Sequence, residues 1–256
     1  MNLFFAREFT STNSARVSGQ EHLHLSRVLR LREGDPILIN DLKGAVYDAV
    51  IHSIEKEATI CTLREKLRHF NEPPIPVTLA LAVMKNPGKM DWVVEKGTEL
   101  GMTAFQPLLT KRTVPSSVKI ARLRTLAETA VKQCLRAVVP EIHEALILEQ
   151  TLHAAAEHRL LVCHEAADLS CTPENLSFDD KPITLFIGPE GGFADEEVAL
   201  FRDRGAEILS LGPRRLRGET AAIAALARVI ARLEHQNPSR DNQVSDITNA
   251  EERSRR

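Results

Sequence analysis

The stretch from Ile183 to Ala222 restricts the fold of this chain more than any other, because it reads as two successive strand–glycine loop–helix units. Ile183, Leu185 and Ile187 form a short β-rich apolar run behind Pro182, and Gly188-Pro189-Glu190-Gly191-Gly192 follows at once. Asp195 is placed to cap the next helix, with Glu196 and Glu197 in a first turn where the helix dipole favours acids, and Gly205 ends that helix. Ala206 to Leu211 predicts a second strand. The loop Gly212-Pro213-Arg214-Arg215-Leu216-Arg217-Gly218 comes next, and a long alanine-rich helix begins near Glu219. Two parallel strands that both end in glycine loops place those loops at one edge of a sheet, where open α/β sheets bind ligands.

The remaining chain supplies the setting. At 256 residues it has room for one large domain or two smaller ones, and 43% hydrophobic residues are enough for a sizeable core. The net charge of −2 means that a polyanionic partner has to be met by a local basic patch. No apolar run is long enough for a bilayer, and MNLFFAREFT has neither the basic start nor the apolar core of a secretory signal. Cys61, Cys134, Cys163 and Cys171 have no metal-binding spacing and read as reduced thiols of a cytoplasmic protein.

Residues 1–72 predict a small β-rich domain, with strands at Ile37–Ile39, Val46–Ile54 and Ala58–Leu63 and a turn at Asp41–Gly44. Within it, Glu21–Asp35 has helical spacing, with Leu25, Val28 and Leu29 on one face. Arg27, Arg30 and Arg32 form either a solvated face or a surface for RNA phosphates. The proline-rich joint 71–76 sets a boundary near residue 73. Beyond it, strands at Val77–Met84, Ala104–Leu109 and Leu160–Cys163 alternate with helices ending at Leu100 and Leu135. The second helix carries a stripe of Leu123, Leu126, Ala127, Ala130, Val131 and Cys134. Residues 73–235 therefore read as one α/β domain, and the polar residues 236–256 as a disordered tail. His164, just past a strand, reads more readily as a loop residue with a satisfied hydrogen bond than as a base.

The first glycine loop carries an acid, Glu190, and no Lys-Ser/Thr pair follows it, which argues against a P-loop. A loop of this kind suits a ligand with hydroxyls and positive charge. The residues Ile187–Phe193, Leu211–Arg214, Leu216-Arg217 and Glu219–Ala221 resemble the RsmE family of ribosomal small-subunit methyltransferases. So do Val28–Arg30, Glu95-Lys96, Glu99–Gly101 and Arg112, and Gln133, Arg136 and Pro140 fit the family's Q-x-x-R-x-x-x-P segment.

The resemblance implies an α/β C-terminal SPOUT domain with a trefoil knot and a parallel sheet, preceded by a small PUA-like β-barrel for RNA. It implies S-adenosylmethionine as cofactor, no metal, a homodimer, and methylation of N3 of one uridine (the 1498 site) in 16S rRNA of the small ribosomal subunit. The cofactor would lie against Ile187, Gly188, Pro189, Glu190, Gly191 and Gly192. Leu211, Gly212, Arg214, Leu216 and Arg217 would form a second wall, and His164 and Glu165 a third, with Glu219, Thr220 and Ala221 at the helix start. Arg136, then Arg217, would stabilise the uracil anion, and Glu190, Glu219 or bulk water would take the N3 proton. Arg27, Arg30, Lys85, Lys89 and Arg112 would contact RNA. Four positions depart from the family's usual residues: Arg215 (usually aliphatic), Gly218 (Thr), Leu135 (small) and Lys132 (Glu). They leave open a knotted RNA-binding protein with impaired catalysis, or a related enzyme acting on another nucleoside.

Overall fold

The computed structural model describes residues 1–11, 13–114 and 117–237, and the chain falls into two compact units. The first holds Met1–Glu72 together with Val131–Val139, and the second holds Pro73–Ala130 and resumes at Pro140.

The first unit is a six-stranded sheet of β1 (Leu3–Phe5), β2 (Glu8–Ser11), β3 (Ser14–Ser18), β4 (Pro36–Asn40), β5 (Ala45–Ile54) and β6 (Ala58–Arg68), in the order β1-β4-β5-β6-β3-β2. β1 runs parallel to β4, and the other pairs are antiparallel. Its core gathers Phe4, Val17, Leu25, Ile37, Ile39 and Ile51. β4, β5 and the Asp41–Gly44 turn lie where the sequence places them. β6 runs past the expected end at Leu63, because Leu63 and Leu67 stay buried and Arg64, Glu65 and Lys66 fill the ladder between them.

The helix expected over 21–35 is shorter. α1 (Gly19–Leu23) passes into a π-helical turn, His24–Val28, and Arg30 leaves it at φ 54°. The wider turn changes the angular spacing, so Val28 and Leu29 do not follow Leu25 inward. Leu25 is fully buried, whereas Val28 and Leu29 are 66% and 37% exposed.

The second unit is built on β7 (Val77–Ala82), β8 (Ala104–Leu109), β9 (Glu141–Ile142), β10 (Leu146–Ile147), β11 (Arg159–Cys163), β12 (Ile183–Ile187) and β13 (Glu207–Leu209). The order is β10-β8-β7-β12-β11-β13, with β9 also beside β8, and every pair is parallel. All five residues of β12 are buried, as expected of a parallel strand covered on both faces. The helices are α2 (Pro87–Glu99), α3 (Ile120–Cys134), α4 (Leu148–Ala154), α5 (Asp195–Asp203) and α6 (Gly218–Gln236).

Met90, Val93, Val94 and Gly97 are the buried side of α2, and Gly101 follows its end at φ 105°. Asp195 does not cap α5. Ala194 holds the N-cap position, Asp195 is the first helical residue, and the Glu197 carboxylate accepts the Ala194 N–H at 2.8 Å. A longer side chain one turn into the helix thus reaches back to the orphan donor. β13 stops at Leu209, short of the expected Leu211, because the Ser210 N–H turns to the Cys171 carbonyl at 2.7 Å. Of the tail expected from 236, Gln236 ends α6 and Asn237 follows as its C-cap; residues 238–256 lie outside the described residues.

Candidate active site

β7, β12, β11 and β13 are parallel neighbours, so the segments that leave their C-terminal ends share one edge of the sheet. After β12 the Gly192 N–H donates to the Pro189 carbonyl at 2.8 Å, closing a turn with Glu190 and Gly191 exposed at its crest. Gly192 sits at φ 70°, and a Cβ on Gly188 would lie 3.2 Å from the Phe193 ring. The loop therefore needs both glycines: one for a left-handed backbone, the other for close approach. Phe193 is anchored edge-on against Phe201, at 5.0 Å between ring centroids.

After β13, buried Ser210 accepts the Gly212 N–H on Oγ at 3.1 Å, and Gly212 takes φ 108°. After β11, the His164 N–H donates to the Leu209 carbonyl, and its Nδ1 accepts the Ala166 N–H at 3.1 Å, so the imidazole shapes its own turn. Glu165 lies 3.8 Å from Arg215, which gives that unusual arginine a local partner in the neighbouring loop.

α6 opens at the same edge. A Cβ on Gly218 would stand 2.9 Å from Met84 Cε and 3.8 Å from the Gly188 carbonyl, so the end of β7, the first glycine loop and the start of α6 converge there. The Arg217 carbonyl accepts the Ala221 N–H at 2.8 Å, while the Arg217 side chain is exposed, as are Arg214 and Thr220. Lys89 is not a loose cation, since its ammonium lies 3.0 Å from the Glu219 carboxylate. Partial burial works to raise the Glu219 pKa. The residue's own N–H, Lys89 and Arg217 outweigh it and hold the carboxyl below its usual range. The structure thus brings together the residues expected from all three loops and the helix start.

Two expected residues carry close protein partners of their own. Arg136 belongs to the first unit and is 2% exposed, with Nη2 2.5 Å from Glu72 Oε2 and Nε 3.3 Å from both carboxylate oxygens. Glu72 also accepts the Val138 N–H at 2.8 Å, and Asn40 donates to the carbonyls of Arg136 and Ala137. A guanidinium enclosed in this way presents no surface to a nucleobase. Arg112 is exposed, but its Nη1 donates to the carbonyls of Gly191 (2.8 Å) and Phe193 (3.2 Å). Arg27, Arg30 and Lys85 are exposed.

Met84, Phe193 and Glu197 belong to the site's framework and were not singled out as site residues. Glu197 had a legible signal as a carboxylate at the third helical position. Met84 had none, because its role is a tertiary contact with Gly218. Lys132, where the family commonly has an acid, donates to Glu21 at 2.8 Å within the first unit. Leu135, where a small residue is usual, is held at φ 58°.

Residues 71–230 match a family model described as an RNA methyltransferase domain. A ribosomal RNA small subunit methyltransferase E from Synechocystis is 37% identical over 217 residues, covering 82% of this chain and 71% of that protein. The Bacillus subtilis protein of the same name is 30% identical, covering 83% of this chain and 88% of its own length. The crystal structure of a Neisseria gonorrhoeae protein of that name bound to S-adenosylmethionine superposes with a TM-score of 0.77 at 28% identity, covering 89% of this chain and 95% of that one. A site assembled at the edge of a parallel sheet, a matching domain model and relatives aligned over most of their length agree: this chain belongs to the ribosomal RNA small subunit methyltransferase E family.

Proposed function

We propose that the chain methylates N3 of one uridine, the 1498 site, in 16S rRNA of the small ribosomal subunit, with S-adenosylmethionine as donor. The observation that carries this reading is the convergence of the loops after β11, β12 and β13 with the start of α6. The residues fit such a donor. Gly192 and Gly212, with nothing within 4 Å of the place a Cβ would take, let main-chain groups approach a flat nucleoside, and exposed Glu190 adds negative charge for a sulfonium. Backbone of Ile187–Gly192 and Leu211–Leu216 would hold it, with His164, Glu165, Glu219, Thr220 and Ala221 around them. When bound, the donor supplies an electrophilic methyl group.

The protein's part is then mostly placement, because a one-step displacement needs the acceptor nitrogen in line. N3–H must lose its proton, and a cation beside O2 or O4 stabilises the resulting anion. With Arg136 enclosed by Glu72, the exposed Arg217 at the head of α6 is assigned that role. Glu190, on the neighbouring loop, is assigned the proton.

By the same reading, residues 73–235 form a SPOUT domain whose trefoil knot involves the β12–α5–β13 connection, which passes β11 to reach its far side. Residues 1–72, with residues 131–139 completing their core, form a PUA-like RNA-binding domain, and the working form is a cytoplasmic homodimer. Arg27, Arg30 and Lys85 contact the RNA. Mass mapping of 16S rRNA from a deletion strain tests the assignment: N3-methyluridine is expected to disappear and to return with the wild-type gene. Its persistence would redirect the enzyme to another nucleoside. Failure of the purified protein to bind S-adenosylmethionine would favour an RNA-binding protein without catalysis.

A further inference from the structure

The loop after β8 is hydrogen-bonded to the first glycine loop and the start of α5 at three points, two from Arg112 and one from Lys111. Arg112 Nη1 donates to the carbonyls of Gly191 and Phe193 at 2.8 and 3.2 Å. The carboxylate of Glu197, itself 6% exposed, accepts the N–H of Lys111 on one oxygen and that of Ala194 on the other, both at 2.8 Å. The aliphatic part of Arg112 also lies under the loop, since a Cβ on Gly191 would meet its Cδ at 3.5 Å. Charge-assisted bonds to carbonyl oxygen are among the stronger hydrogen bonds, and two from one nitrogen fix the direction of both peptide groups. Gly191 and Gly192 sample more backbone conformations than other residues, so these bonds add to the Gly192 N–H bond to the Pro189 carbonyl in holding the loop.

We infer that Arg112 is a positioning residue for the donor-binding loop: it orders Gly191–Ala194 in the free protein so that the main-chain groups facing S-adenosylmethionine are set before the donor arrives. This rests on the proposed function for the identity of the donor, and it differs from the phosphate-contacting role that the basic sequence Lys111-Arg112 suggests. Ordering a loop in advance lowers the cost of binding, so the effect appears in donor affinity without RNA present.

The test compares wild type, Arg112→Gln and Arg112→Lys by calorimetry with S-adenosylmethionine alone, and by amide hydrogen exchange of the free proteins. Arg112→Gln is expected to weaken donor binding about tenfold, with Arg112→Lys recovering part of it. Exchange at residues 191–194 should quicken in Arg112→Gln while the thermal midpoint stays near wild type, as suits an exposed side chain. Unchanged donor affinity in Arg112→Gln with a loss of RNA affinity would overturn the inference and return Arg112 to the phosphate role. Unchanged exchange at 191–194, or loss of the thermal transition, would overturn it as well. If the wild type itself does not bind the donor, the proposed function fails, and the exchange result still decides whether Arg112 orders the loop.

Discussion

Arg136 shows how far a residue's surroundings can change its reading. Its guanidinium and the Glu72 carboxylate are 2% and 6% exposed as side chains, and Glu72 also holds the Val138 N–H. Removing one partner leaves a buried charge unpaired, so Arg136→Met should destabilise the protein by about 3–5 kcal/mol in denaturant unfolding. Arg136→Met combined with Glu72→Gln should recover much of that loss. Arg30 presents the opposite case: an exposed side chain on a left-handed backbone at φ 54°. That conformation costs an L-residue about 1–2 kcal/mol, partly offset in a glycine variant by the greater freedom of the unfolded chain. Arg30→Gly should therefore raise stability by about 1 kcal/mol in thermal unfolding. If Arg30 touches RNA phosphate, the same variant lowers the salt slope of RNA binding by about 1.

Among the elements, the segment after β11 depends on α6. Arg228 on α6 grips Glu174 in the 3₁₀ turn Pro173–Asn175, and Arg232 Nε donates to the Leu176 carbonyl at 2.8 Å. The Arg228 hydrogen bonds hold the Glu174 carboxyl down to about 2, against an ordinary 4.5. A depressed carboxylate contributes stability that is fully present above its unfolded pKa and is lost as pH falls towards the folded value. Residues 164–176 should therefore loosen between pH 4.5 and 2, read as faster amide exchange. Glu174→Gln should weaken the segment at neutral pH and flatten that pH dependence. Since this segment supplies His164 and Glu165, its anchoring belongs to the site's framework as well as to the fold.

For the whole molecule, the decisive feature is that the first unit is not continuous in sequence. Val131 and Ala137 complete a core with Leu3, Phe5, Leu38, Val46, Leu67 and Phe70, and the Ala137 N–H donates to the Phe70 carbonyl. A fragment of residues 1–72 would lack these groups and would leave Glu72 without Arg136. It should show no cooperative thermal transition on its own, and added peptide 131–139 should restore part of it. A sharp transition in the bare fragment would mean that the strands of residues 1–72 suffice.

The second unit, with its two glycine loops, was legible in sequence because the signals there are local. Apolar runs, glycines just past strand ends and a helix-forming alanine stretch each act within a few residues, so β12, β13, α5 and α6 stand near their expected places. The same holds for Gly101 behind α2 and for the Asp41–Gly44 turn. What only tertiary structure decided depends on partners far apart in the chain. Burial against Glu72 set the environment of Arg136, sixty-four positions away. The carbonyls of Gly191 and Phe193 turned Arg112 towards the loop, and a π-helical turn sent Val28 and Leu29 outward. Sequence spacing determines which face of an element a residue occupies; the charge or surface that meets that face is contributed by another part of the chain.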